Sequence, residues 1–263
     1  MNDSKFIPKL GKIESDVLPK IRQALGPLFF ATSLDKRKGK VVNNGSFAYV
    51  ATHQKILLVT NYHVWNDFLA ARQKNPALKL CGCFDDKTPV PFCTLPNGTA
   101  NKPLDQDKAM DIATFDMKPF ESLIGPKNFF VPNHLPQSSV NVNDTVAIIG
   151  CPSKQRKDLG HSVLWGCQPY IGFVSQVQDF NIKVDFSKMM SLNRELTINP
   201  NDKSPATAGI SGCPCFVFRQ DYEPYLIGFV TEHTIKFRNE VKITTSSCIN
   251  EDGTLKSPMS YSA

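Results

Sequence analysis

Beyond residue 27 the chain never stays apolar for more than a few residues before Gly, Pro, Asn or Asp interrupts it. A helix with one buried face needs about ten or more residues of 3.6-residue periodicity, whereas a buried strand needs only about four to eight. The rhythm therefore predicts strands over 28–33, 45–52, 55–60, 78–84, 90–95, 111–117, 145–150, 169–177, 181–186, 214–219, 225–231 and 240–246. Two stretches read as helix. Residues 14–25 place Val17, Ile21 and Leu25 on one stripe, with Ser15 or Asp16 at the start and Gly26-Pro27 at the end. Residues 65–72 read as a short helix directly after His63. The class is all-β. The strands fall into two groups of about six around a weakly patterned stretch at 118–140, which predicts two six-stranded antiparallel β-barrels side by side with a short N-terminal helix. The expected divisions are a helical extension 1–26, a first barrel 27–125, a second barrel 126–248 and a loosely ordered polar tail 249–263.

The bulk properties narrow the setting. At 263 residues, 41% hydrophobic and 21% charged, the composition is that of a soluble globular protein. The longest apolar runs, such as Ile56-Leu57-Leu58-Val59, are far too short for a transmembrane helix, so no membrane partner is expected. Met1 is followed by Asn-Asp-Ser-Lys-Phe-Ile-Pro-Lys, which contains no apolar leader core, so an intracellular, cytoplasmic setting is expected. In that setting the eight cysteines are expected to be buried thiols. Cys81-x-Cys83 and Cys213-x-Cys215 lack the spacers typical of zinc sites, and alternate residues of a strand share a face. No metal is expected. The net charge of +6 gathers in Lys36-Arg37-Lys38-Gly39-Lys40 and Lys154-Gln155-Arg156-Lys157. Both clusters read as solvated loop tips without aromatic interleaving, so nucleic acid is not the expected partner. Asn44-Gly-Ser, Asn97-Gly-Thr and Asn143-Asp-Thr match the glycosylation pattern but also suit ordinary turns. Oligomeric state leaves no mark on the sequence.

Three segments carry chemistry, in fixed order: Thr60-Asn61-Tyr62-His63-Val64, Asp111-Ile112-Ala113, and Gly209-Ile210-Ser211-Gly212-Cys213-Pro214. Each lies at the edge of a strand-like run. A serine hydroxyl is a weak nucleophile at neutral pH, so a base must take its proton and a third group must orient that base. His63, Asp111 and Ser211 supply those three types, the first two from the first strand group and the third from the second.

These segments resemble the motifs of the trypsin-like serine proteases of chymotrypsin fold, closest to intracellular and bacterial-type members without zymogen activation. The segment around His63 stands where that family has Thr-Ala-x-His. Asp111-Ile112-Ala113 matches Asp-Ile-Ala, and the Ser211 segment stands where it has Gly-Asp-Ser-Gly-Gly-Pro. Over roughly residues 28–246 the resemblance implies a chymotrypsin-like double barrel and a serine endopeptidase acting on a protein or peptide substrate. Ser211 would attack, His63 would act as base and then acid, and Asp111 would hold the imidazole. The amides of Gly209 and Ser211 would form the oxyanion hole. Thr231 would support Asp111 through its hydroxyl. No cofactor is implied. Ile210 replaces the family's Asp before the serine, so activation by N-terminal cleavage is not expected. Cys213 replaces a glycine.

The resemblance places a substrate pocket at Pro205, Ala206, Thr207, Ala208, Glu232 and His233. Pro205 stands where the family's specificity Asp would fall, so a preference for Lys or Arg is not implied. Thr207 and His233 suit an acidic or polar side chain, and small apolar side chains remain open. A cysteine nucleophile fails because Cys213 lies two residues beyond Ser211. An α/β-hydrolase fails because its order of triad residues is reversed here. The remaining alternative is a catalytically silent or partner-activated module of the same fold that binds peptides or proteins.

Overall fold

The structure is a computed structural model that describes residues 10–32, 42–83, 89–94, 100–121, 133–134, 139–152, 157–158, 163–164, 166–186, 209–219, 223–234 and 240–256. A helical stretch opens it: α1 (Leu10–Lys12), a π-helical turn (Ile13–Val17), α2 (Leu18–Ile21) and a 3-10 turn (Arg22–Ala24). The first sheet comprises β1 (Leu25–Ala31), β2 (Val42–Ala51), β3 (Ile56–Thr60), β4 (Lys79–Cys83), β5 (Pro89–Pro91), β6 (Asp105–Asp107) and β7 (Ile112–Asp116). Between β3 and β4 lies α3 (Tyr62–Lys74). Then follow β8 (Asn133–His134), β9 (Thr145–Gly150), the hairpin of β10 (Lys157–Asp158) and β11 (Val163–Leu164), β12 (Gln168–Gln178), β13 (Asn181–Asp185), β14 (Pro214–Phe218), β15 (Pro224–Thr234) and β16 (Glu240–Thr245).

The first sheet runs β5-β4-β1-β2-β3-β7-β6. The second runs β14-β9-β12-β13-β16-β15 and closes on itself through a β14–β15 pairing, giving a six-stranded antiparallel barrel with β8 attached to β15. The first sheet is one strand larger than the sequence predicts, because β6 adds an edge built of Asp-Gln-Asp, which carries no apolar signal. The helical stretch also gives way to strand one residue early, at Leu25. Gly26-Pro27 lies inside β1 instead of ending a helix. Pro27 is tolerated because it faces only β2, opposite Ser46, and β4 joins β1 only from Leu28 onward.

Period two explains how the sheets stack. In β2, Phe47 and Tyr49 point into the first barrel, and Ala48 and Val50 point out of it. In β14, Cys215 and Val217 point into the second barrel, and Phe216 and Phe218 point out of it. The outward residues are not solvated. They meet in a shared layer with Leu57, Val59, Ala147, Ile149 and Phe229, so these strands are buried on both faces. Ile13, Val17 and Ile21 of the helical stretch enter the same layer. The N-terminal segment therefore belongs to the junction of the two sheets.

The C-terminal segment differs from the expected loose tail. Residues 249–256 strap back onto the first sheet: Thr52 donates its hydroxyl to the Glu251 carbonyl at 2.6 Å, and Thr114 donates to the Gly253 carbonyl at 2.7 Å. The Leu255 N–H reaches the Asp105 carboxylate at 2.8 Å. Polar composition here reflects hydrogen bonding across sheets, a cause that composition alone does not separate from disorder.

Candidate functional site

α3 presents the histidine. Asn61 precedes it in extended conformation (φ −79°, ψ 147°) and its carbonyl accepts the Trp65 N–H, which starts the helix. Val64, Trp65 and Phe68 are buried in the first barrel, where Trp65 meets Phe115 edge-on at 5.1 Å and Phe68 meets Phe30 at 5.5 Å. That packing fixes the rotation of the helix and turns His63 outward, with 43% of its side chain exposed.

Asp111 meets it twice. Its Oδ2 lies 2.7 Å from His63 Nδ1, and its Oδ1 accepts the His63 backbone N–H at 2.9 Å. The pair of bonds fixes the ring's tautomer, with the proton on Nδ1 and Nε2 left as the basic nitrogen. Asp111 adopts a left-handed backbone (φ 52°), uncommon outside glycine but accessible to Asp. Three neighbours hold that turn. Asp107 accepts the Met110 N–H at 2.7 Å, Thr244 of the second barrel donates to the Met110 carbonyl at 2.6 Å, and the Asn61 amide donates to the Asp111 carbonyl at 2.9 Å. The His63 pKa is raised. Burial works against its charged form, but the hydrogen bond to Asp111 and the charges of Asp111 and Asp67 outweigh it.

Ser211 sits in a tight turn closed by the Cys213 N–H on the Ile210 carbonyl at 2.9 Å. Gly212 takes φ 84°, the left-handed value a type II turn needs at that position, and a Cβ there would run into the Ser46 carbonyl. The turn is gripped from both barrels. The Ser46 N–H donates to the Ser211 carbonyl at 2.7 Å, and the Gly212 N–H donates to the Val230 carbonyl at 2.9 Å. Ser46 Oγ also donates to the Gly209 carbonyl at 2.7 Å, while Thr60 Oγ1 donates to the Ser46 carbonyl at 2.8 Å. Gly209 carries φ 89°, a conformation open to glycine.

The structure thus joins His63 to Asp111 directly and sets the Ser211 turn against β2 and β15 on the same seam. A Cβ on Gly45 would touch both the Val64 side chain and the Ser211 carbonyl, which puts the serine turn beside the first turn of α3. Among the described residues no hydrogen bond links the Ser211 hydroxyl to His63. Thr231 gives its hydroxyl to the Lys242 carbonyl at 3.3 Å and not to Asp111. Glu232 and His233 lie in β15 opposite Lys242 and Val241. Pro205, Ala206, Thr207 and Ala208 fall outside the described residues.

Sequence reasoning assigned no role to Ser46, Asn61 or Thr244. Asn61 stands beside His63, yet it does not cap α3. Its amide bridges the Asp111 carbonyl and, at 3.0 Å, the Val230 carbonyl of the other barrel. A polar residue two positions before the histidine, where the resembling family has alanine, is the one signal that marks it.

No family model and no curated protein matches the chain. Solved structures do match. The serine endoprotease from Yersinia pestis aligns at TM-score 0.52 and 14% identity, over 92% of this chain and 64% of that one. The HtrA-type protease AlgW, solved with a decapeptide, aligns at TM-score 0.51 and 16% identity, over 89% of this chain and 64% of that one. The chain therefore spans under two thirds of their length. Together with the two sheets and the closed six-stranded barrel, these similarities show that the chain has the chymotrypsin-like double-barrel fold of the trypsin-like serine proteases.

Proposed function

We propose that the chain is a serine endopeptidase in which His63, Asp111 and Ser211 form the catalytic triad. The observation that carries this reading is the paired contact of Asp111 with His63, side chain to ring and side chain to backbone, at the seam where the Ser211 turn is clamped. With its tautomer set, His63 Nε2 takes the Ser211 proton as the hydroxyl attacks the scissile carbonyl, then gives it to the leaving amine. Water hydrolyses the resulting acyl-enzyme by the same proton path. The amides of Gly209 and Ser211 face the developing oxyanion, and one such donor is worth about 2.7–4 kcal/mol in the transition state. Catalytic hydrogen bonds often tighten only in the complex with substrate, which reconciles the triad with the missing Ser211–His63 bond.

The substrate is an extended protein or peptide segment. Beyond Val230, the described part of β15 pairs only with β16, which leaves an edge beside the Ser211 turn for a substrate strand to join. That AlgW was solved with a decapeptide supports a peptide as the bound class. The pocket proposed from the family resemblance comprises Pro205, Ala206, Thr207, Ala208, Glu232 and His233, a set that suits an acidic or polar side chain, or a small apolar one, over Lys or Arg. A peptide-library profile dominated by Lys or Arg would remove the pocket assignment.

The absent Ser211–His63 hydrogen bond also favours a second reading, a partner-activated or silent peptide-binding module. A fluorophosphonate probe separates the two. Labelling of the folded wild type that is lost in Ser211→Ala establishes the nucleophile, whereas folded protein that resists labelling supports the binding module.

A further inference from the structure

β9 and β12 run antiparallel, and their register ends with Gly150 opposite Gln168. One step further along the same ladder, Cys151 faces Cys167, and their sulfurs stand 3.8 Å apart. Antiparallel neighbours have Cα atoms about 4.5–5.5 Å apart, inside the window of about 4.4–6.8 Å that a disulfide accepts. Side-chain rotation alone can close the remaining gap. The two thiols differ in access: Cys151 is buried, while Cys167 is only partly covered at the strand end.

We propose that Cys151 and Cys167 form a reversible disulfide site whose reagent is a small disulfide of the glutathione type. It goes beyond the peptidase reading and does not depend on it. The Cys167 thiolate attacks one sulfur of the oxidised reagent and releases one molecule of its thiol. Cys151, as thiolate, then attacks the Cys167 sulfur and displaces the second. Two protein thiols lose two electrons and two protons, and one small disulfide becomes two small thiols. The division of labour follows from burial, with the accessible sulfur meeting the reagent and the enclosed one resolving it. The bond would close the chain segment that carries the β10–β11 hairpin. It would also sit next to Gly150, where an added Cβ would lie 2.9 Å from Ile210 and 3.0 Å from the Cys213 sulfur, so it adjoins the turn that carries Ser211.

The test is intact-mass spectrometry of the folded full chain after incubation with oxidised glutathione, followed by non-reducing digestion. The wild type is expected to lose two hydrogens, retain no glutathione, yield a peptide pair joined through Cys151 and Cys167, and revert with dithiothreitol. Cys151→Ser is expected to keep one glutathione on Cys167, and Cys167→Ser to give neither product. Cys151→Ala serves the same purpose where the buried serine is not tolerated. A wild type that stays reduced, keeps a glutathione adduct, or joins Cys151 to Cys213 overturns the proposal.

Discussion

Asn61 spends both hydrogens of its side-chain amide on carbonyls from opposite barrels, Asp111 and Val230. Removing it takes the side-chain donor from the Asp111 carbonyl, at about 1–3 kcal/mol, whereas the Val230 carbonyl keeps the Gly212 N–H. Asn61→Ala should therefore lower stability by about 1–3 kcal/mol in urea unfolding, and it should slow fluorophosphonate labelling at temperatures where the variant remains folded. Its neighbour gives a pH prediction. The raised His63 pKa means that labelling should fade as pH falls through a value above the ordinary 6.5 or so, because the protonated ring accepts no proton. Asp67→Asn should move that acid limb to lower pH. Stability runs the other way. The fold binds the proton more tightly than the unfolded chain does, so this contribution is full below the unfolded pKa and disappears as pH rises through the folded one. A labelling profile with no acid limb would contradict the role given to His63. The candidate histidine, aspartate and serine stand out in the sequence because three reactive residue types follow one another in fixed order at strand ends, and the contact shown among them is His63 with Asp111. Ser46, Asn61 and Thr244 were not, since their roles arise from distances between chain segments far apart in sequence.

At the level of elements, α3 converts core packing into a fixed imidazole. Phe68 is fully buried between Phe30 and Trp65. Phe68→Ala should cost about 3–5 kcal/mol, read as a lowered urea midpoint with little change in slope. A loss under about 1 kcal/mol would mean that the helix is held by something else. Strands such as β9 and β14 were readable because apolar residues fill both faces of runs cut off cleanly by Gly or Pro. β6, β8 and the β10–β11 hairpin were not. β6 is acidic and polar, and the other three are two residues long, so pairing alone creates them. The early end of the helical stretch has a similar cause. Leu25 suits the helical stripe, but pairing with Ala48 claims it for β1.

For the whole molecule, the shared layer makes the two sheets one folding unit. The faces that meet there are apolar, so thermal unfolding should show one transition, with calorimetric and van't Hoff enthalpies in agreement. The C-terminal strap adds to this union. A chain ending at residue 248 loses the bonds from Thr52, Thr114 and Leu255, and it should melt several degrees lower while keeping its far-ultraviolet circular dichroism at low temperature. An unchanged melting point would show that the strap is passive. The Asn61 bridge has a last consequence. One amide bonded to carbonyls of both halves at 2.9 and 3.0 Å ties them together at that line and opposes their separation. A variant without that bridge should therefore exchange the amide hydrogens along the seam faster than the wild type.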